Sequence, residues 1–580
     1  MRTFFKFFFA SCLSLVVFFG LILLLFVGLA SSLASKEKPD VASKTVLLLD
    51  LSQAFPEQAQ ADPFAELSGT EDVPGLYDAV RLIQHAAEND KVSGMYILAN
   101  GNSNGFAASE ELRNAVLQFK AQKKWVYAYG EAMTQQAYHV ANAATKLYLN
   151  PKGALQWEGF GVDIAFLKGT LDKLGIQPQI FYAGKFKSAT EPFRVTKMTP
   201  ENKEQTIEWL GDVYAHFLRT AAQARGVDTA TLQNLANTGA VETTTQAVNY
   251  RLADGVRYDD EVKDEIKRKL DVDRREKINF MSLSKYADAV SYKKTGTDRI
   301  AIIYASGNVV DGSGDAQNIA SGDFINTIRK VRLDKSIKAV VFRVNSGGGS
   351  ALASENIWRE LMLTKKEKPV IASFGDVAAS GGYYIAAGAD SIFCQPNTIT
   401  GSIGVFGLIP NMQKFFNDKL GVTFDGVQTA GLANTGAIYR PLNNREQAII
   451  QSGVERTYQI FKQRVAEGRK RDTTYVETVA QGRVWSGEDA LRLGLVDGLG
   501  GIDRAVQAAA SKAKISSYRL REFPERKNFI DQFLNRNKTE PSALLKKNLG
   551  PEAAAAYEQL LYIKGLSGVQ TRLPFQFYIR

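Results

Sequence analysis

The sequence predicts an α/β protein, built as a tandem pair of one strand–helix unit behind an apolar N-terminal segment. Three observations predict it. The chain has 580 residues, too many for a single hydrophobic core. Strand-like runs alternate with helix-like ones, which argues for sheets covered by helices. The second half also resembles the first at a spacing of about 245 residues, a domain-sized period and not that of a solenoid.

At the N-terminus, Arg2 and Lys6 precede an uncharged stretch from Phe7 to Ser35. It is long enough to cross a bilayer and longer than a usual signal-peptide core. We expect an uncleaved anchor at 10–34, with 1–9 in the cytoplasm and the remainder exported. Ser32-Leu33-Ala34 also has the small residues of a cleavage site.

The first repeat is expected at 44–291 and the second at 298–515, joined near Lys293 to Thr297. Val92–Ala99 and Ala339–Asn345 read as matching strands, each running into a loop of glycine and serine and then a helix. Trp125–Gly130 matches Pro369–Gly375, and both lead into alanine-rich helices with Tyr138 and Tyr383 at equivalent places. Leu171–Gly175 matches Phe416–Gly421, and Ala247–Gly255 matches Ala490–Gly498. The polar, basic extension at 516–580 has no place in this plan.

Composition narrows the function. Net charge is +10, but the lysines and arginines are scattered among acids, with no aromatic-interleaved basic stripe. A nucleic-acid partner is not expected. Cys12 and Cys394 have no Cys or His neighbour at metal-ligand spacing. His85, His139 and His216 all lie in the first half, outside any recognisable metal or triad motif, so no metal and no cofactor is expected. His139 reads as a packed or surface residue.

In Gly375-Asp376-Val377-Ala378-Ala379-Ser380-Gly381-Gly382 a strand ends, the chain turns and a helix begins. That sets the Ser380 hydroxyl at a helix N-terminus, where the Gly381 amide has no intrahelical partner and the dipole favours an oxyanion. The same segment also reads as an N-cap serine beside tightly packed glycines. Asn345–Ser350 lets a backbone approach a ligand closely at Gly347-Gly348-Gly349, or is a plain turn. Ser402 lies in a third small-residue loop, Gly401–Gly407. A serine nucleophile needs a base. With no histidine in the second half, a buried, neutral lysine is the natural one. Ala183–Phe193 offers Lys185 and Lys187, and spacing does not choose between them.

Together GDVAASGGYY, NSGGGSALAS, TGSIGVFG and GKFKSATEPF resemble the long, duplicated form of the signal peptide peptidase A family. The resemblance implies two tandem Clp-protease/crotonase-like repeats after a transmembrane helix. It implies Ser380 as nucleophile, Lys187 as base (Lys185 does not match), and Ser402 as the serine that orients the lysine. Oxyanion donors would be the amides of Gly381 and of Gly348 or Gly349. Gly347 stands where the family has proline. Gln135 occupies the Ser380 position of the first repeat, and Ala433 the Lys187 position of the second. Each half thus keeps one catalytic partner, and the dyad must form between halves or between chains. The resemblance further implies a serine endopeptidase of the bacterial inner membrane, single-pass with its catalytic part periplasmic. Its substrates would be cleaved signal peptides and other apolar unfolded peptides, its partners the lipid bilayer and other copies in a homotetramer. The competing expectations are an acyl-CoA-binding crotonase-like enzyme and a non-catalytic membrane scaffold. Glu191 is expected to point away from Lys187.

Overall fold

The computed structural model describes residues 2–34, 39–59, 72–314, 317–525 and 568–573. Arg2–Ala34 is one helix. Among the described residues no helix is long and apolar enough to cross a membrane. The expected anchor at 10–34 lies partly outside them, since side chains beyond Ile22 in this helix are not described.

Two sheets carry the two repeats. The first runs Gly255–Val256, Lys146–Leu155, Trp125–Met133, Val92–Leu98, Thr45–Asp50, Phe280–Ser282, and all its neighbours are parallel. The second is built the same way. Val370–Ala379, Ile337–Ser346, Asp298–Ser306 and Tyr518–Phe523 lie side by side and parallel. Ser391–Cys394 and Ile399–Gly401 extend it beyond Val370–Ala379, and Gly498–Leu499 and Val484–Ser486 complete that edge. The duplication read from sequence is therefore a duplicated sheet. Tyr518–Phe523, from the unplaced extension, takes the position that Phe280–Ser282 takes in the first repeat.

The strands are apolar on both faces because helices cover both. Val340, Val341, Phe342 and Val344 are each fully buried. Their alternation divides the second sheet between two cores. Ile300, Ile302, Val341 and Ile371 join a cluster with Leu47, Leu82 and Ile97 of the first repeat. Ala301, Ile303, Val340 and Phe342 face the second repeat's own helices. The repeats thus share one hydrophobic core.

Polar ties cross the same boundary. Arg343, 1% exposed, reaches Glu57 and Glu111 of the first repeat, each at 2.7 Å. Asp376 Oδ1 accepts from the amides of Ala107 and Ala108 at 2.8 and 3.0 Å. Those are orphan donors in the first turn of the helix Phe106–Ala121.

A third sheet joins the halves. Its order is Asn318–Ala320, Asn308–Val310, Gly348–Ser350, Gly568–Arg572, Val405–Asn411, Gln177–Ala183. Val405–Asn411 pairs antiparallel with Gln177–Ala183 along its whole length. This pairing carries the segment after Ala183 into the second repeat.

Candidate active site

Ser380 lies between the strand Val370–Ala379 and the short helix Gly381–Ala386. Its backbone sits at φ 55, ψ −117, a strained conformation for a residue with a Cβ. The Ser380 amide donates to Gly401 O at 2.8 Å, and its carbonyl accepts from Tyr384 N at 2.8 Å. Its side chain makes no capping bond. Ser380 holds the N-cap position beside tightly packed glycines without capping the helix through its side chain, and the hydroxyl is left for another partner.

That partner is Lys187, whose Nζ lies 2.8 Å from Ser380 Oγ. The strand Gln177–Ala183 delivers it, followed by a turn at Gly184 with φ 104. Phe186 N donates to Gln481 O at 2.9 Å. Gln205 Nε2 donates to Phe186 O at 3.1 Å and to Ser188 Oγ at 2.9 Å, and its Oε1 accepts from Val484 N at 3.1 Å. The loop is therefore clamped from both sides. Gly482 must be glycine here: a Cβ would stand 2.7 Å from the Lys187 backbone, and φ is +76.

Lys187 is 1% exposed. Burial alone pushes its amine well below the ordinary lysine value, with no charged neighbour opposing. Nζ also stands 3.0 Å from Ser402 Oγ and 3.2 Å from Ser402 O. A neutral amine has two N–H donors and one lone pair. Donation to Ser402 uses the protons and leaves the lone pair for the Ser380 hydroxyl. Ser402 is itself held at φ 50, with its amide on Arg483 O at 2.6 Å. Lys185 takes no part. It is exposed, and its amine lies over the Phe186 ring at 4.7 Å from the centroid.

Glu191 turns away, as a base kept neutral at Lys187 needs. Its carboxylate accepts from Thr199 Oγ1 at 2.6 Å and Asn202 Nδ2 at 2.9 Å. It locks the Lys187 loop to the helix Pro200–Arg225.

Gly348 and Gly381 face each other closely. A Cβ at Gly348, where φ is +95, would lie 2.5 Å from Gly381 N and 2.1 Å from Thr571 O. The Gly348 amide donates to Ser346 Oγ at 3.1 Å, while Gly349 stands opposite Thr571 in the sheet. The segment Gly568–Arg572 is antiparallel both to Gly348–Ser350 and to Val405–Asn411. Leu573 N donates to Gly347 O at 2.6 Å, and Thr571 Oγ1 to Gly349 O at 3.2 Å. An extended peptide thus lies against the glycine loop, its Thr571 carbonyl near Gly381.

Sequence reasoning missed three features. Gln205 and Gly482 have no motif. The strand at Gly568–Arg572 lies in the unplaced extension. His139 is packed, one of the two places expected for it; that it and His216 converge on Glu110, while His85 stands apart on Tyr286, was not visible in the sequence. Cys12 and Cys394 are free thiols.

The family model for "Peptidase family S49" matches the chain twice, at residues 118–273 and 362–516. "Protease 4" of Salmonella typhi is 31% identical over 90% of this chain and 86% of its own. "Protease 4" of Haemophilus influenzae is 34% identical over 85% and 83%. "Serine protease SPPA, chloroplastic" of Arabidopsis thaliana is 34% identical over 74% and 64%.

Proposed function

The chain belongs to peptidase family S49 and is a serine peptidase, and from that premise we propose that Ser380 is its nucleophile and Lys187 its general base. The observation that carries this reading is the 2.8 Å contact between a buried Lys187 Nζ and Ser380 Oγ.

The steps follow from that geometry. Ser380 Oγ gives its proton to the neutral Lys187 amine and attacks the peptide carbonyl. The oxyanion forms beside Gly381, whose amide donates to it, with a second donor from Gly349 or from Gly348 once its amide leaves Ser346 Oγ. The Lys187 ammonium then protonates the leaving amine and becomes neutral again. Water gives a proton to Lys187 and attacks the Ser380 ester, and the acid product leaves as Oγ recovers the proton. Ser402 holds the lysine through each exchange.

We further propose that substrates bind as an extended strand between Gly348–Ser350 and Val405–Asn411. The chain's own Gly568–Arg572 supports this, because it lies there by main-chain pairing. The uncharged sequence from Phe7 to Ser35 supports an anchor in the bacterial inner membrane with the catalytic part periplasmic. Apolar, unfolded peptides at the bilayer, including cleaved signal peptides, are the proposed substrates, and a homotetramer the proposed assembly.

The test is fluorophosphonate labelling and apolar-peptide hydrolysis by the full chain in detergent. Wild type should label at Ser380 and hydrolyse, while folded Ser380→Ala and Lys187→Ala should do neither. Hydrolysis by Ser380→Ala overturns the assignment, and a wild type that never labels returns the acyl-thioester or scaffold reading.

A further inference from the structure

Away from the dyad, three helices of the first repeat bring Glu110, His139 and His216 together. Glu110 lies in Phe106–Ala121, His139 in Gln135–Ala141 and His216 in Pro200–Arg225. Glu110 Oε2 is 2.7 Å from His139 Nε2 and 3.1 Å from His216 Nε2. All three ligand atoms lie within 4.8 Å of one another. Glu110 and His139 are 5% and 0% exposed.

The second repeat shows what this position ordinarily holds. Ala108-Ser109-Glu110 matches Ala353-Ser354-Glu355, and Tyr138-His139 matches Tyr383-Tyr384. The long helices align through their caps, Thr199 and Asn443, and through the pairs Arg225–Asp254 and Arg469–Asp497. That alignment sets Thr220 at the place of Arg464 and His216 at that of Ile460. In the second repeat Glu355 is neutralised by Arg464 at 2.7 Å and accepts from the Tyr384 hydroxyl. In the first, the guanidinium at Arg464's place is gone and two imidazoles have arrived, while the buried Arg113 one turn on acts on Glu110 only from beyond ion-pair distance. Among the described residues, the ion-pair partners of Glu110 are those two histidines. A buried carboxylate needs a positive partner.

We propose that Glu110, His139 and His216 bind a divalent transition-metal ion of the zinc class, which supplies the charge that Arg464 supplies in the other repeat. Two imidazoles and a carboxylate are a zinc ligand set, leaving a fourth tetrahedral position open. The remaining ring nitrogens have suitable outer partners. His139 Nδ1 lies 3.4 Å from Thr220 Oγ1, whose own proton goes to Phe217 O. His216 Nδ1 lies 3.5 Å from Glu488 Oε1. On binding, each Nε2 releases its hydrogen bond to Glu110, and Nδ1 carries the proton toward Thr220 or Glu488. His216, with a side chain 13% exposed, gives the ion a path from solvent. The site ties the helix Pro200–Arg225, which carries Gln205, to the first repeat's own helices.

The test uses the full chain in detergent, stripped with a chelator and returned to one equivalent of zinc or cobalt(II). Wild type should retain one zinc per chain on elemental analysis, show the visible bands of four-coordinate cobalt(II), and melt at a higher temperature with metal than without. His216→Ile, which restores the second repeat's residue, should melt like stripped wild type and lose at least ~100-fold in zinc affinity. His139→Tyr provides the same comparison from a second ligand. A wild type that keeps no stoichiometric zinc, or a His216→Ile that binds equally well, overturns the proposal.

Discussion

On the proposed mechanism, Lys187 must keep its amine lone pair free. Lys187→Met should remove peptidase activity by at least ~10⁴-fold, measured as kcat/KM. Because burial holds the wild-type amine below its ordinary value, it takes a proton only as pH falls through that lowered value. Activity should therefore fall about tenfold per pH unit on the acid side and level off above. Stability carries the matching sign. Between the lowered and ordinary values the unfolded chain holds a proton that the folded chain has shed, so stability rises with pH there. Lys187→Met should abolish that slope, as pH-dependent urea melts would show. Ser402→Ala leaves the Ser402 carbonyl in place but removes one bond to Nζ, and should cost roughly 1 kcal/mol, or about five- to tenfold in kcat/KM. Glu191→Gln should keep the pH profile of hydrolysis unchanged. As candidates, Ser380 and Ser402 were legible because each stands in a short motif of small residues, whereas Lys187 was told from Lys185 only by the family resemblance. Glu110, His139 and His216 were not, because 29 and 77 residues separate them in sequence and only helix packing makes them neighbours.

The elements that matter most are the ones that cross between repeats. Parallel sheets could be read from apolar runs that repeat after about 245 residues, because a strand buried on both faces shows itself locally. The third sheet could not. Val405–Asn411 and Gln177–Ala183 pair across 228 residues, and neither strand states its partner. The same holds for Gly568–Arg572, whose pairing is made by backbone and asks little of its side chains. This strand occupies the groove where we expect substrate to lie, so a substrate must displace it. Removing residues 568–580 should raise kcat/KM for a short apolar peptide several-fold, mainly through KM. An unchanged or lower value would mean that the strand completes the groove. Gly482→Ala tests the other wall. Its Cβ meets the Lys187 backbone at 2.7 Å, and φ > 0 adds about 1–2 kcal/mol of strain, so both melting temperature and activity should fall.

The molecule as a whole is one unit made from two, since a shared core and buried ion pairs join the repeats. Removing the shared cation of the Glu57–Arg343–Glu111 cluster leaves an uncompensated buried charge. Arg343→Met, which leaves Glu57 and Glu111 without that cation, should cost about 3–5 kcal/mol of unfolding free energy, while Glu111→Ala, which keeps Arg343 paired with Glu57 at 2.7 Å, should cost less. Residues 1–292 and 298–580 expressed apart should be inactive, and together should recover hydrolysis. Under the proposed dyad, the spacing of its two side chains along the chain has a temporal consequence. Lys187 precedes Ser380 by 193 residues, and a ribosome adding about 5–20 residues per second needs roughly 10–40 s to cover that distance. A growing polypeptide that already holds its base still has no nucleophile. On that assignment hydrolysis begins only when synthesis has passed the second repeat and the joint has closed, so the enzyme is its own proenzyme until then.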